Sequence, residues 1–322
     1  MATRSIYATK RIAEKMNCLA IIKRLQYPIF NSEFPVNFQT TEKQSPLVST
    51  AWLAENLGSP NCVVLDASFF LPNQNRDAKA EYRQGHIPGA LFFDIDAVAD
   101  HSTNLPHMLP SPEEFAEAVG RMGIGNDTLV VAYDSNFFMA SARVWWTFRV
   151  FGHTQVAVLD GGLARWRQEN RPVDAEPVSA KSKSFIADFR RELVYDLSQV
   201  KTLLAHPNAQ ILDARGPGRF HGTEPEPRPG VRGGHMPGSR NLPYKTLSDE
   251  TSFCLKPLPE LEALFQQADI DTAKPVVTTC GTGVTASILA LGLYLLGNES
   301  VAVYDGSWTE WGARENMPVE VG

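Results

Sequence analysis

Cys280 opens the run Cys280-Gly281-Thr282-Gly283-Val284-Thr285-Ala286, an order of residue types suited to sulfur-centred nucleophilic chemistry. Gly281 and Gly283 let a backbone curl tightly enough for several N–H groups to converge on one atom. A helix starting near Thr285 or Ala286 adds the positive end of its dipole at the same place. Both effects favour thiolate over thiol, and a thiolate in a ring of donors can attack sulfur and then hold a second sulfur as a persulfide anion. A free cysteine is more often a small buried hydrophobe. Cys280 stands apart because it ends a β-branched run beginning at Pro275, where doubly wound folds place their ligands. Cys18, Cys62 and Cys254 have no such surroundings and read as structural; no role is assigned to Cys254.

Several other chemistries are excluded. A cysteine phosphatase needs Arg six residues after its nucleophile, where this chain has Ala286. A P-loop needs a Gly-Lys-Ser/Thr ending, and no glycine-rich stretch here has one. A Cys–His hydrolase stays open on composition, although nothing marks a peptide groove. Four cysteines in 322 residues, with no CxxC pair, exclude a disulfide scaffold and a four-cysteine zinc site. A net charge of −6 argues against a nucleic-acid partner. The apolar run Ala286 to Leu296 falls short of the roughly 20 residues that span a bilayer. These features predict a soluble protein of a reducing compartment, without nucleic-acid or membrane partners.

The elements that must position Cys280 emerge from an internal repeat. Val63-Val64-Leu65-Asp66-Ala67 matches Ile211-Leu212-Asp213-Ala214-Arg215, and Gly85-His86-Ile87-Pro88-Gly89 matches Gly234-His235-Met236-Pro237-Gly238. Leu129 to Asp134 matches Pro275 to Cys280, and Val156 to Gly162 matches Val301 to Ser307. The four separations are 147, 149, 146 and 145 residues, which chance does not keep in step. Short β-branched runs bounded by Asp, Gly or Pro predict strands buried on both faces. Between them lie helix-like segments: Ser111 is placed to N-cap a helix, with Pro112, Glu113 and Glu114 in its first turn. Strands alternating with helices predict an α/β protein of two tandem domains, each a parallel sheet flanked by helices on both faces. The expected boundaries are an extension over 1–45, a first domain over 46–168, a linker over 169–192 and a second domain over 193–322. Asp134 stands in the first copy where Cys280 stands in the second, so the first copy reads as supporting and the second as catalytic. His86, His235, Asp66 and Asp213 recur in both copies and read as structural.

The Cys280 loop resembles the active-site loop of tandem-domain sulfurtransferases of the rhodanese superfamily, and within them the branch that uses 3-mercaptopyruvate. The resemblance runs from about Leu47 to Val319 and includes His86-Ile87-Pro88-Gly89, Asp94-Ile95-Asp96, His107-Met108-Leu109-Pro110, Gly218-Arg219-Phe220, Gly222 to Arg228 and Asp305-Gly306-Ser307-Trp308. Thiosulfate-using relatives carry two cations directly after the cysteine, where this chain has neutral Gly281 and Thr282. The resemblance implies that Arg219 and Arg228 hold the substrate carboxylate and keto group, for which the planar fork of arginine is suited. It implies a relay from Asp96 through His107 to the Thr282 hydroxyl, and loop contacts from Gly281, Gly283, Val284 and Thr285. The implied reaction moves sulfur from 3-mercaptopyruvate through a Cys280 persulfide to cyanide, a small thiol or thioredoxin, with no metal or organic cofactor. Thiosulfate:cyanide transfer and a non-catalytic sulfur carrier are the alternatives.

Residues 1–45 carry seven basic and three acidic residues, +4 against −10 for the remainder. They read as a disordered tail or, with Ile6, Ile12, Met16, Leu19 and Ile22 among the basic residues, as a transit peptide that Glu14 suits poorly. The corresponding expectation is a cytoplasmic protein, with a mitochondrial one as the alternative.

Overall fold

The computed structural model describes residues 45–71 and 74–322; the extension, apart from Ser45, lies outside the described residues, as does Cys18. In chain order the first domain holds β1 (Leu47–Val48), α1 (Thr50–Asn56), β2 (Cys62–Asp66), α2 (Ala78–Gln84), β3 (Leu91–Phe92), α3 (Pro112–Arg121), β4 (Leu129–Tyr133), α4 (Ser141–Val150), β5 (Val156–Leu159) and α5 (Gly162–Gln168). The second holds β6 (Val194–Tyr195), α6 (Leu197–Ala205), β7 (Gln210–Asp213), α7 (Pro217–Phe220), β8 (Arg240–Asn241), α8 (Leu258–Gln267), β9 (Val276–Thr279), α9 (Ala286–Leu295), β10 (Ala302–Tyr304) and α10 (Ser307–Trp311). Among the described residues the strands form two five-stranded sheets, ordered β1-β5-β4-β2-β3 and β6-β10-β9-β7-β8, with every pair parallel. The two orders are the same, as the sequence repeat requires. Register agrees as well, with Asp66 beside Tyr133 and Asp213 beside Thr279 at the strand ends.

The apolar runs make strands because both faces are covered. In β4, Val130 and Ala132 join one apolar cluster while Leu129, Val131 and Tyr133 join another on the opposite face. In β9, Val276 and Val277 divide in the same way. Leu53 of α1 and Trp166 of α5 cover the outer face of the first sheet, and Val200 of α6 with Trp308 and Trp311 of α10 cover that of the second. The inward faces of both sheets drain into one shared cluster through α3, α4, α8 and α9, with Trp145 of α4 packed edge-on against Tyr294 of α9. Arg143, in the first turn of α4, is only 3% exposed.

Local capping follows the predicted chemistry. Ser111 and Glu114 form a reciprocal capping box at the start of α3, with Pro112 in its first turn. The segment 169–190 between the domains is laid along the first one: Lys183 N–H donates to Gly120 O, Arg190 N–H to Val150 O, and Phe185 is buried against Phe115, Phe148 and His153.

Candidate active site

Cys280 follows the last residue of β9, the central strand of the second sheet, and is 2% exposed. Its loop is pinned from outside. Cys280 N–H donates to Ser307 Oγ at 3.2 Å, Cys280 O accepts from Trp308 N–H at 2.9 Å, and Gly281 O accepts from both Thr309 N–H and Thr309 Oγ1. Gly283 has φ +75°, and a Cβ there would lie 2.8 Å from Asp305 O and 3.0 Å from an Arg143 nitrogen, so glycine is required twice over. The amides of Thr282, Val284 and Ala286 form no hydrogen bond among the described residues. They are the donors a bound sulfur anion would find.

The first copy shows the same cradle already filled. Asp134, at the position of Cys280, is buried, and its carboxylate accepts from the amides of Asn136, Phe138, Ala140 and Ser141 at 2.9–3.1 Å. Three of those residues stand 146 positions before Thr282, Val284 and Ala286. Phe137 takes the place of Gly283 with φ +54°, and Phe253 takes the place of His107 with φ +62° against +60°. The rings of Phe137 and Phe253 meet at 5.8 Å and, with Asp134, line a small cavity there.

Arg215, Arg219 and Arg228 lie in the turn after β7, on α7 and in the loop beyond it. Arg215 is buried against Asp213, Glu226 and Gly234 O, which makes it a structural cation. Arg219 forms a bidentate pair with the same Glu226, which is buried. A Cβ on Gly281 would lie 3.1 Å from the Arg219 guanidinium, so the missing side chain makes room for that cation beside the loop. Arg228 makes no hydrogen bond or ion pair among the described residues. Arg215 and Arg219 share the buried carboxylates of Asp213 and Glu226, while Arg228 faces Asp96 and Glu226 at longer range without pairing to either. Burial and the neighbouring Arg219 charge lower the Arg228 pKa, while Asp96, Glu226 and Cys280 oppose that shift. An anionic ligand would relieve this strain.

From the first domain comes the loop after β3. Asp94 accepts from the amides of Asp96 and Ala97, closing a turn that presents Asp96. Asp96 Oδ1 lies 2.8 Å from Nδ1 of His107, and that hydrogen bond holds the Asp96 carboxyl below its ordinary range. His107 is buried, with its ring edge-on to Phe69 at 5.0 Å. Arg143 ties this loop to the nucleophile's loop, donating to His107 O at 2.6 Å and to Gly283 O at 3.3 Å. The Thr282 hydroxyl forms no hydrogen bond to His107, so of the expected relay the structure joins Asp96 and His107 only.

Cys62 and Cys254 are both pushed up to about 11 by burial, Cys254 also by Asp160, so both stay protonated thiols at neutral pH. His86 and His235 do matching structural work, each bonded through Nδ1 to the carbonyl of an aromatic residue on which its ring stacks, Tyr82 and Phe220. Sequence reading missed Arg143, Glu226 and Tyr244. Tyr244 is pushed up to about 12 by burial and by the charges of Asp134 and Cys280, so it remains a neutral phenol near the thiol. Comparing the two copies position by position would have exposed Arg143, whose match 146 residues on is Leu289.

Residues 49–169 and 196–314 each match the family model described as rhodanese-like domain. A thiosulfate/3-mercaptopyruvate sulfurtransferase of Arabidopsis thaliana, named mitochondrial, is 45% identical, with the match covering 85% of this chain and 78% of the relative. The human 3-mercaptopyruvate sulfurtransferase is 45% identical over 82% of this chain and 91% of its own. The crystal structure of a 3-mercaptopyruvate sulfotransferase from Escherichia coli superposes with a TM-score of 0.75 at 38% identity, covering 82% of this chain and 99% of that one. Two copies of one sheet, one cradle filled by a carboxylate and the other opened by a cysteine, thus carry the family's pattern, and the chain belongs to the tandem-domain rhodanese family.

Proposed function

We propose that this chain is a sulfurtransferase that takes sulfur from 3-mercaptopyruvate, holds it as a persulfide on Cys280 and passes it to cyanide or a thiol. The observation that carries the reading is Arg228, a partly buried guanidinium with no hydrogen bond or ion pair among the described residues, set outside a nucleophile loop whose own Gly281 and Thr282 are neutral. A carboxylate donor needs a planar cation away from the sulfur. A dianionic sulfur donor needs cations at the thiol itself.

In the first half-reaction the Cys280 thiolate attacks the donor sulfur. An S–S bond forms, the donor C–S bond breaks, and its electron pair leaves on carbon as the pyruvate enolate. The proton lost from the donor thiol returns to that carbon, through Thr282 and His107 with Asp96 orienting the imidazole. Arg219 and Arg228 fix the carboxylate, and the amides around Gly281, Gly283, Val284 and Thr285 hold the persulfide anion. In the second half-reaction the acceptor attacks the outer sulfur, the S–S bond breaks and the thiolate is restored. Small thiols and thioredoxin are the acceptors of this scheme besides cyanide.

The test is kcat/KM for 3-mercaptopyruvate and for thiosulfate, with cyanide as common acceptor. The expected result is a preference of at least tenfold for 3-mercaptopyruvate. A preference for thiosulfate, which the Arabidopsis relative's name also includes, keeps the persulfide and overturns the donor. Turnover of neither replaces both with a carrier that does no chemistry. For the compartment, the cytoplasmic reading is tested by fusing residues 1–45 to a fluorescent reporter, and import into mitochondria overturns it.

A further inference from the structure

The buried ion pair of Arg143 and Asp305 belongs to no step of the proposed reaction, yet it joins the parts that must cooperate. Arg143 leaves α4 of the first domain and reaches Asp305, at the end of β10 in the second, with 2.7 Å between them. The guanidinium is oriented by the Trp146 ring, 4.5 Å away. From there it donates to His107 O at 2.6 Å and Gly283 O at 3.3 Å, while Asp305 Oδ2 accepts the amide of Leu109 at 2.9 Å. One pair therefore grips the histidine loop at the His107 carbonyl and the Leu109 amide, on either side of Met108, and the nucleophile loop at Gly283. His107 lies in the left-handed region, φ +60°, as Phe253 does at the matching place, so that turn of the backbone is common to both seams.

The repeat supplies the comparison that separates this device from ordinary domain packing. In the mirror seam, Asp160 Oδ1 accepts the amide of Leu255 at 2.9 Å, as Asp305 does for Leu109. That carboxylate clamp is common to both seams. The arginine is not, because Leu289 stands at the matching position of α9. Cys280 for Asp134, His107 for Phe253, Gly283 for Phe137 and Arg143 for Leu289 are four differences that converge on one seam. The mirror seam has a cation of its own, Arg165, which donates to Cys254 Sγ at 3.4 Å. It comes from the same domain as Asp160 and makes no hydrogen bond to the Asp134 loop among the described residues, whereas Arg143 crosses the boundary and holds both loops.

We infer that Arg143, anchored by Asp305, is a positioning residue that sets the His107 loop against the Cys280 loop across the domain boundary. The inference rests on the reading of His107 as the proton-transfer group. It therefore locates the effect of losing Arg143 in the proton-transfer step, with donor binding by Arg219 and Arg228 left intact.

The experiment compares Arg143→Lys, Arg143→Met, Asp305→Asn, His107→Gln and, as the mirror control, Asp160→Asn. Each is measured for melting temperature, kcat and KM for 3-mercaptopyruvate, and kcat against pH. Arg143→Lys keeps a buried cation and guards against simple misfolding, but a single ammonium cannot span His107 O, Gly283 O and Asp305 in one plane. The expected result is that Arg143→Lys and Asp305→Asn lose at least tenfold in kcat, with KM within threefold and an altered pH profile. Arg143→Met loses more, and Asp160→Asn lowers the melting temperature while kcat and pH profile stay as in the parent. If Arg143→Lys and Asp305→Asn lower only the melting temperature while His107→Gln loses activity, positioning is overturned and the function stands. If His107→Gln keeps full kcat, the proton-transfer reading fails and takes the inference with it.

Discussion

In the proposed reaction donor choice turns on Gly281, which acts by what it lacks. Because no Cβ stands there, the Arg219 guanidinium can lie against the loop. Replacing Gly281 and Thr282 with Arg and Lys would put two cations at the thiol and push Arg219 aside. Steady-state assays with both donors should then show kcat/KM for 3-mercaptopyruvate falling at least tenfold while that for thiosulfate rises. Arg228→Ala should cost about 2–3 kcal/mol of transition-state binding, a loss of roughly 30–150-fold in kcat/KM expressed mainly in KM, since it removes a charge-assisted contact to the carboxylate. Asp96 offers a test by acid. Its carboxyl is held low by the hydrogen bond from His107, so the folded state binds that proton more weakly than the unfolded chain. The stability this contributes is present above the unfolded carboxyl pKa, about 4, and is lost as pH falls through the lower folded value. Asp96→Asn should therefore flatten the fall of melting temperature between about pH 5 and pH 3.

Among the elements, the central strands were legible and the excursion loops were not. β2, β4, β5, β7, β9 and β10 announced themselves as apolar runs because helices cover both sides of each sheet, and Ser111 announced α3 through its cap. The edge strands β1, β3, β6 and β8 are two residues long, too short for any run to mark them. Cys280 and its glycines could be read from their order alone. His107 could not, because its place depends on the Asp94 turn, on an ion pair supplied by two different domains and on a backbone conformation that sequence does not encode locally. Arg143 was hidden in the first turn of a helix that six apolar residues, Ala142, Val144, Trp145, Trp146, Phe148 and Val150, mark as buried. The Asp134 loop carries its own prediction. Four amides depend on one buried carboxylate, so Asp134→Ala should lose on the order of 3 kcal/mol in denaturant unfolding. Turnover of the folded fraction should remain at the parent level.

At the scale of the whole molecule, the two sheets share one apolar cluster that runs from Leu65 in the first domain to Val303 in the second. Neither inward face is complete without the other, and the segment 169–190 is bonded down rather than loose. Calorimetry of the described body should show one cooperative transition, and two resolved peaks would mean that the shared core does not couple the halves. Shortening Trp145, fully buried where α4 meets Tyr294 of α9, should lower that single transition by about 3–5 kcal/mol as Trp145→Ala.

The crossed clamps at the two seams bear on how such a chain can change over time. Asp305 holds a loop of the first half and Asp160 a loop of the second, so each half carries the fastening for its neighbour's loop rather than its own. A hybrid gene that joined the second half of this chain to the first half of a distant relative would inherit the cysteine, its cradle, Arg219 and Arg228, but not Arg143. It would still lack a matched grip on the histidine loop. Inheritance here works on the pair of halves as one unit, and recombination between relatives succeeds only where both sides of each seam travel together.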